Sequence, residues 1–153
     1  MKVQVYTDGE RGTKGLQKKF RNLALKGGDR RNLLGRIGIQ VLNEVSANFD
    51  AQGNEGKPWV PLRAATLERR RKGRGKGGGR ILEDTGALRR SFVMAANERE
   101  VKVGTPTIYA PPHEFGFKHI PQRKMLPEQK RGLQLGIDTA EKFIAQRRSK
   151  IGL

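Results

Sequence analysis

The sequence predicts an α+β domain: helices flanking a small antiparallel β-sheet, with a long basic Gly-rich loop and a C-terminal helix. Three observations carry that prediction. Residues 29–49 and 128–148 each place apolar side chains at helical spacing. Residues 91–96 and 100–104 read as two short strands joined by Asn97-Glu98-Arg99. No βαβ unit repeats along the chain. With 153 residues, the length is that of one domain, read here as 1–153 with a flexible basic loop at 69–80.

Each element follows in order. Residues 2–7 alternate, with Val3 and Val5 on one side, and read as a strand that ends at the Asp8-Gly9 turn. Thr13 is a helix cap, and Leu16, Phe20 and Leu23 form one face before Gly27-Gly28 ends the segment. Asp29 is the expected N-cap of the next helix. Leu33, Leu34, Ile37, Val41, Leu42, Val45 and Phe49 are its apolar positions. Gly35 and Gly38 each cost about 1 kcal/mol of helix propensity, which close helix packing would justify.

Residues 52–56 read as a loop. Trp59, the single tryptophan, lies between Pro58 and Pro61 in an extended, rigid connector. It is expected to be buried. A short helix is predicted over 62–70. Residues 69–80 contain seven basic residues (Arg69, Arg70, Arg71, Lys72, Arg74, Lys76, Arg80) and five glycines, with nothing acidic or apolar. Such a segment cannot bury a core and repels itself, so it is expected to be mobile until a counter-charged partner holds it. Asp84 or Thr85 should cap a short helix containing Leu88. Pro111-Pro112 is expected to break regular structure. It would place His113, Glu114, Phe115 and Gly116 in a corner that Phe115 and Phe117 anchor and where Gly116 supplies a positive φ. In the last helix, Leu133, Ile137, Ala140 and Ile144 should face inward, with Phe143 flanking them and Arg147 near the C-terminal end.

Composition excludes most chemistry. Cysteine is absent, so there is no disulfide, thiolate nucleophile or Cys-ligated zinc. Two histidines, His113 and His119, sit six apart, which fits neither an i,i+4 pair nor a common zinc motif. No phosphate loop or nucleophile elbow is present, and no cofactor is expected. The chain reads as a non-enzyme. No apolar run reaches the ~20 residues of a membrane span, and the start of the chain does not read as a signal peptide. A soluble chain in a reducing compartment is expected.

The charge demands an explanation. A formal +17 far exceeds the magnitude of about 2–8 that suffices for solubility in a small domain. The seven basic residues of 69–80 could contact a DNA or RNA backbone, an acidic protein surface, or solvent. No aromatic residue in the segment stacks a base, and the glycines suit threading into a crevice, so protein contact is favoured.

The motif set from Trp59 to Leu126 supplies a resemblance. It comprises Pro58-Trp59-Val60-Pro61-Leu62, Thr66, Ile81-Leu82, Thr85-Gly86-Ala87-Leu88, Ser91 and Val101-Lys102-Val103-Gly104-Thr105. Tyr109-Ala110, His113-Glu114-Phe115-Gly116 and Ile120-Pro121-Gln122-Arg123 complete it. In order and spacing this resembles the virion morphogenesis proteins of tailed phages. That family includes the capsid-assembly protein of Mu-like phages and the tail completion protein of P2-like phages. The match departs near its end. Family members often carry Pro-Ala-Arg-Pro-Phe-Leu where this chain has Pro121, Gln122, Arg123, Lys124, Met125 and Leu126.

The resemblance implies a structural part of the head–tail junction that forms or completes a ring, commonly six-fold, at the top of the tail. Its partners would be further copies of itself, connector or head-closure proteins and the tail tube protein, with the genomic DNA backbone a further candidate and no membrane. It would reside in the virion neck after assembly in the host cytoplasm. Trp59, Tyr109, His113, Phe115, Gly116 and Arg123 are then the candidate interface or structural residues.

Overall fold

The computed structural model describes residues 2–4, 27–74 and 78–151. Its elements are β1 (Lys2–Gln4), α1 (Gly27–Ala51), β2 (Gly53–Asn54), β3 (Lys57–Pro58), α2 (Ala64–Arg69), α3 (Ala87–Arg90), β4 (Val93–Ala96), β5 (Val101–Gly104), α4 (Ala110–Phe115) and α5 (Gln129–Ile151). The expected helix at 13–23, residues 5–9 of the first strand and its turn, and Lys76 lie outside the described residues. The class is α+β as predicted, with two small sheets of strand order β1-β5-β4 and β2-β3.

The described chain divides into two compact units. The first is built chiefly from Leu42–Val93 and Gly104–Pro127, the second from the described parts of Val3–Val41, Met94–Val103 and Glu128–Leu153.

In the second unit, α1 buries Leu33, Ile37 and Val41, and β5 buries Val101 and Val103. Asn97 Oδ1 closes the β4–β5 hairpin by accepting the N–H groups of Arg99 and Glu100 at 2.7 and 2.9 Å. Gly38 has a reason visible only in three dimensions. A Cβ there would lie 2.5 Å from Met94 Sδ and 2.8 Å from Val101 Cγ2. The close packing is therefore against strands rather than another helix. Gly35 meets nothing within 4 Å among the described residues.

Two further expectations shift here. α1 begins at Gly27, so Asp29 lies within the first turn instead of capping it, and it pairs with Arg147 of α5. The face of α5 is rotated from the expected one. Ala140 and Phe143 are buried with Gly132 and Gly136, while Leu133, Ile137 and Ile144 are only half-buried. Phe143 sets that face, because the guanidinium groups of Arg36 and Arg147 stack on its ring at 5.2 and 5.7 Å.

The first unit holds a second core of Val45, Phe49, Trp59, Ile81, Leu88, Ala110, Met125 and Leu126. The segment read as a loop is a tight hairpin: β2 and β3 pair Gly53 with Pro58 and Asn54 with Lys57. Glu55 and Gly56 turn it with φ of 50° and 77°, the two positive values of a type I′ turn. Pro111-Pro112 does not break regular structure. Both lie in the first turn of α4, where a missing N–H costs nothing and the fixed φ suits a helix. Gly116 ends that helix at φ 76°. Asp84 pairs with Arg70 instead of capping α3, and Thr85 Oγ1 accepts the Ala87 N–H at 3.3 Å.

Candidate functional site

In the first unit, Arg123 to Leu126 form a largely buried segment outside any helix or sheet. Such a segment needs partners for its peptide groups, and four side chains supply them. Asn48 donates to Met125 O at 3.0 Å. Asn54 donates to Lys124 O and Leu126 O at 3.2 and 2.7 Å. Trp59 Nε1 donates to Lys124 O at 2.8 Å. Glu114 Oε2 accepts the N–H groups of Met125 and Leu126 at 2.6 and 3.4 Å. Trp59 is 5% exposed and meets Phe49 edge-on at 5.3 Å between ring centroids. Burial pushes the Glu114 carboxyl above its ordinary range, against the pull of the two N–H groups it accepts.

Arg123 leads into this segment. Its own N–H donates to His113 O at 2.7 Å. Its guanidinium is 6% exposed as a residue and donates from Nε to Val60 O at 2.9 Å and from Nη2 to Pro61 O at 3.1 Å. Both acceptors are neutral carbonyls. Burial accordingly lowers the Arg123 pKa, and burial together with the nearby Arg123 charge holds the His113 imidazole below its ordinary value. His113 Nδ1 is buried with no hydrogen-bond partner.

Beside this core lies an open cleft of about 820 Å³. Its walls come from the approach to α2 and α2 itself, from the turn before α3, and from the chain on either side of α4. Arg63, Arg69, Arg70, Lys118 and Arg123 line it, against a single carboxylate, Asp84. Leu62, Leu82, Leu88, Tyr109 and Ile120 give it apolar walls.

The structure brings some of the expected site residues together and separates others. Trp59, His113 and Arg123 sit in or beside the segment just described. Tyr109, 46% exposed, lines the cleft. Phe115 and Phe117 do not anchor the corner: they are 67% and 56% exposed, and Lys118 Nζ lies 5.3 Å over the Phe117 ring.

The basic segment also divides. Arg70 is buried and donates to Gly78 O and Arg80 O at 3.2 and 2.7 Å, closing its own loop, while Nε lies 3.4 Å from Asp84. Arg80 holds Glu83 through two contacts of 2.8 and 3.1 Å and donates to Phe49 O at the end of α1. Arg89 joins that network through Asp50 at 2.7 Å and Ser46 at 2.8 Å. The Arg80 pair holds the Glu83 carboxyl low, and Arg89 does the same for Asp50. Arg71 and Lys72 pair with Glu68, one turn earlier, and Arg69 is exposed at the cleft. Gly73, at φ 78°, breaks the wide turn Arg70–Arg74. Asn48 and Asn54 were not singled out by sequence reasoning, because isolated polar residues carry no periodic signal, and Glu114 was named only as part of the His113–Gly116 corner and motif, not as a buried acceptor. Only Glu114's place beside Pro111-Pro112 marked its surroundings.

Among the described residues, no group of His, Asp and Glu is arranged to hold a metal ion, and no helix is long and apolar enough to cross a membrane. Comparison with known families matches residues 12–148 to the model described as the phage virion morphogenesis family. No curated protein and no solved structure matches the chain.

Proposed function

Since the chain belongs to the phage virion morphogenesis family over residues 12–148, a non-catalytic, structural tail-family protein, we propose that it closes a ring, six-fold in the favoured reading, at the head–tail junction. Its partners there are neighbouring copies of itself, a connector or head-closure protein and the tail tube protein. Its place is the neck of the virion, after assembly in the host cytoplasm.

One observation carries the reading beyond the family. Around α4, Ile108, Phe115 and Phe117 are 90%, 67% and 56% exposed within ten positions, the densest group of exposed large apolar side chains among the described residues. Clustered exposed apolar side chains mark contact surfaces. A ring requires a heterologous interface repeated around an axis, in which such a surface meets a different one on the neighbour. The competing reading, binding of a nucleic-acid backbone through 69–80, loses support because Arg70 and Arg80 are committed to internal carbonyls and carboxylates. Native mass spectrometry of the purified chain, alone and with tail tube or connector protein, tests the proposal. A fixed oligomer, weakened by Phe115→Ser with Phe117→Ser, is expected. A strict monomer without affinity for any neck or tail component overturns it.

A further inference from the structure

We infer that the cleft of the first unit is a docking groove for an acidic peptide segment carrying large apolar side chains, supplied by a partner protein. The inference deepens the structural reading above, since it names the chemistry of one partner, and it does not require that this cleft close the ring.

Charge is the first argument. Five cationic side chains line the cleft against one carboxylate, and Asp84 is already 3.4 Å from Arg70. Arg123 is the sharpest case. It is a buried guanidinium whose hydrogen bonds go to two neutral carbonyls, and a buried charge without a counter-charge is costly. His113 sits in the same wall, its pKa held below the ordinary value by burial and by Arg123, with Nδ1 unpartnered. A carboxylate entering here relieves Arg123 of its uncompensated charge and gives the imidazole a partner on protonation.

Shape and polarity decide between a peptide and a nucleic acid. A cleft of about 820 Å³ lies within the ~300–1,000 Å³ of sites that enclose a small ligand, too small to admit a duplex. Leucine and isoleucine walls offer nothing to phosphates. Leu82 is held at φ 60°, a left-handed conformation that a leucine rarely adopts. Leu82 nonetheless forms part of the cleft wall. A second copy of this chain is a poor occupant, because a +17 chain has few acidic segments to offer. Acidic groups at the rim and an apolar side chain between Leu62, Leu82 and Ile120 match the lining instead.

The test uses the full chain and labelled synthetic peptides, read by fluorescence anisotropy. One peptide alternates Asp and Glu with Leu and Phe, a second replaces Leu and Phe by Ser, and a third replaces the acids by Asn and Gln. Arg63→Glu with Lys118→Glu is the probe variant. Both side chains are exposed, and their contacts are the peripheral ones of Arg63 to His119 O at 3.4 Å and Lys118 to the Phe117 ring. An acidic residue just before α2 suits the helix dipole; circular dichroism and thermal melting check that the variant folds. Each reversal removes two from the +17, so the double variant remains at +13. Non-specific attraction to acids therefore persists in it. Binding of the first peptide should fall at least tenfold in the variant and at least tenfold on loss of either the acids or the apolar side chains. Hydrogen exchange at 60–66 and 109–123 should slow on binding. Equal binding of the Ser peptide, an unchanged variant, or complete competition by duplex DNA overturns the inference. Native mass spectrometry of the same variant separates the two proposals: lost peptide binding with an intact ring bears on the cleft alone, and a lost ring with intact peptide binding bears on the ring alone.

Discussion

Trp59 joins two kinds of interaction in one side chain, and substitutions separate them. Trp59→Ala removes a buried ring and should cost about 3–5 kcal/mol in urea unfolding. Trp59→Phe keeps an aromatic ring against Phe49 and loses only the bond to Lys124 O. That carbonyl retains Asn54 as donor, so the cost should be nearer ~1 kcal/mol. Equal losses in the two variants would show that the ring contributes nothing beyond its N–H. Glu114 makes a pH-dependent prediction. Its folded pKa is raised above the ordinary 4.5, so its favourable contribution is complete below 4.5 and is lost as pH rises through the folded value. Glu114→Gln retains an acceptor for Met125 N and Leu126 N without the buried charge. Relative to the parent, it should gain stability as pH rises from 4.5 through the folded value and then level off; a pH-independent difference contradicts this. Glu114→Ala strands two buried donors and should cost about 2–4 kcal/mol below pH 4.5, and less as pH rises through the folded value. His113 has the opposite sign. Its folded pKa lies below the ordinary 6.5, so its contribution is complete above 6.5 and is lost as pH falls through the folded value.

At the scale of an element, α1 contains two glycines with opposite consequences. Gly35→Ala adds a methyl group that meets no described residue within 4 Å and improves propensity, so it should stabilise by up to about 1 kcal/mol. Gly38→Ala forces that methyl against Met94 and Val101. Met94 can yield at its flexible end, but Val101 is a buried strand residue, so the net effect should be a loss of about 1–3 kcal/mol. Thermal melts of the two variants test the pair, and a shift in the same direction would refute the packing argument. The C-terminal end of the same helix depends on distant residues. Phe49 O accepts from Gln52 and from Arg80, and Gln52, at φ 53°, also holds the Ile81 peptide group. Arg80→Ser should therefore lower the melting temperature even though the side chain belongs to the basic segment. No change would return that residue to the set available for partners.

For the whole molecule, a net charge of +17 sets self-repulsion against the ion pairs. Raising salt from about 0.01 to 0.15 M shortens the screening length from roughly 30 to 8 Å. A chain at +17 should melt higher after that change, because repulsion between distant like charges is screened more than contacts such as Arg80–Glu83 at 2.8 Å. A lower melting temperature in salt would mean that the ion pairs outweigh the repulsion. The same excess charge makes a counter-charged partner favourable, which the proposed assembly would supply.

By itself the sequence determined the elements that repeat. Leu33, Ile37, Val41, Val45 and Phe49 recur at helical spacing and are the buried face of α1, and Val101 and Val103 alternate and are buried in β5. Periodic burial is a local property, so it can be read locally. The ordered motifs also carried the family. Tertiary structure alone decided how the non-periodic residues are used. Asn48 meets Met125 across 77 positions and Asn54 meets Leu126 across 72, distances at which no local pattern exists. Whether Pro111-Pro112 stops a helix or starts one depends on the chain that follows it. The fates of Arg70 and Arg80 were hidden for the same reason. A run of like charges repels itself in isolation, but the Phe49 carbonyl and the carboxylates of Glu83 and Asp84 are brought to it only when the chain folds.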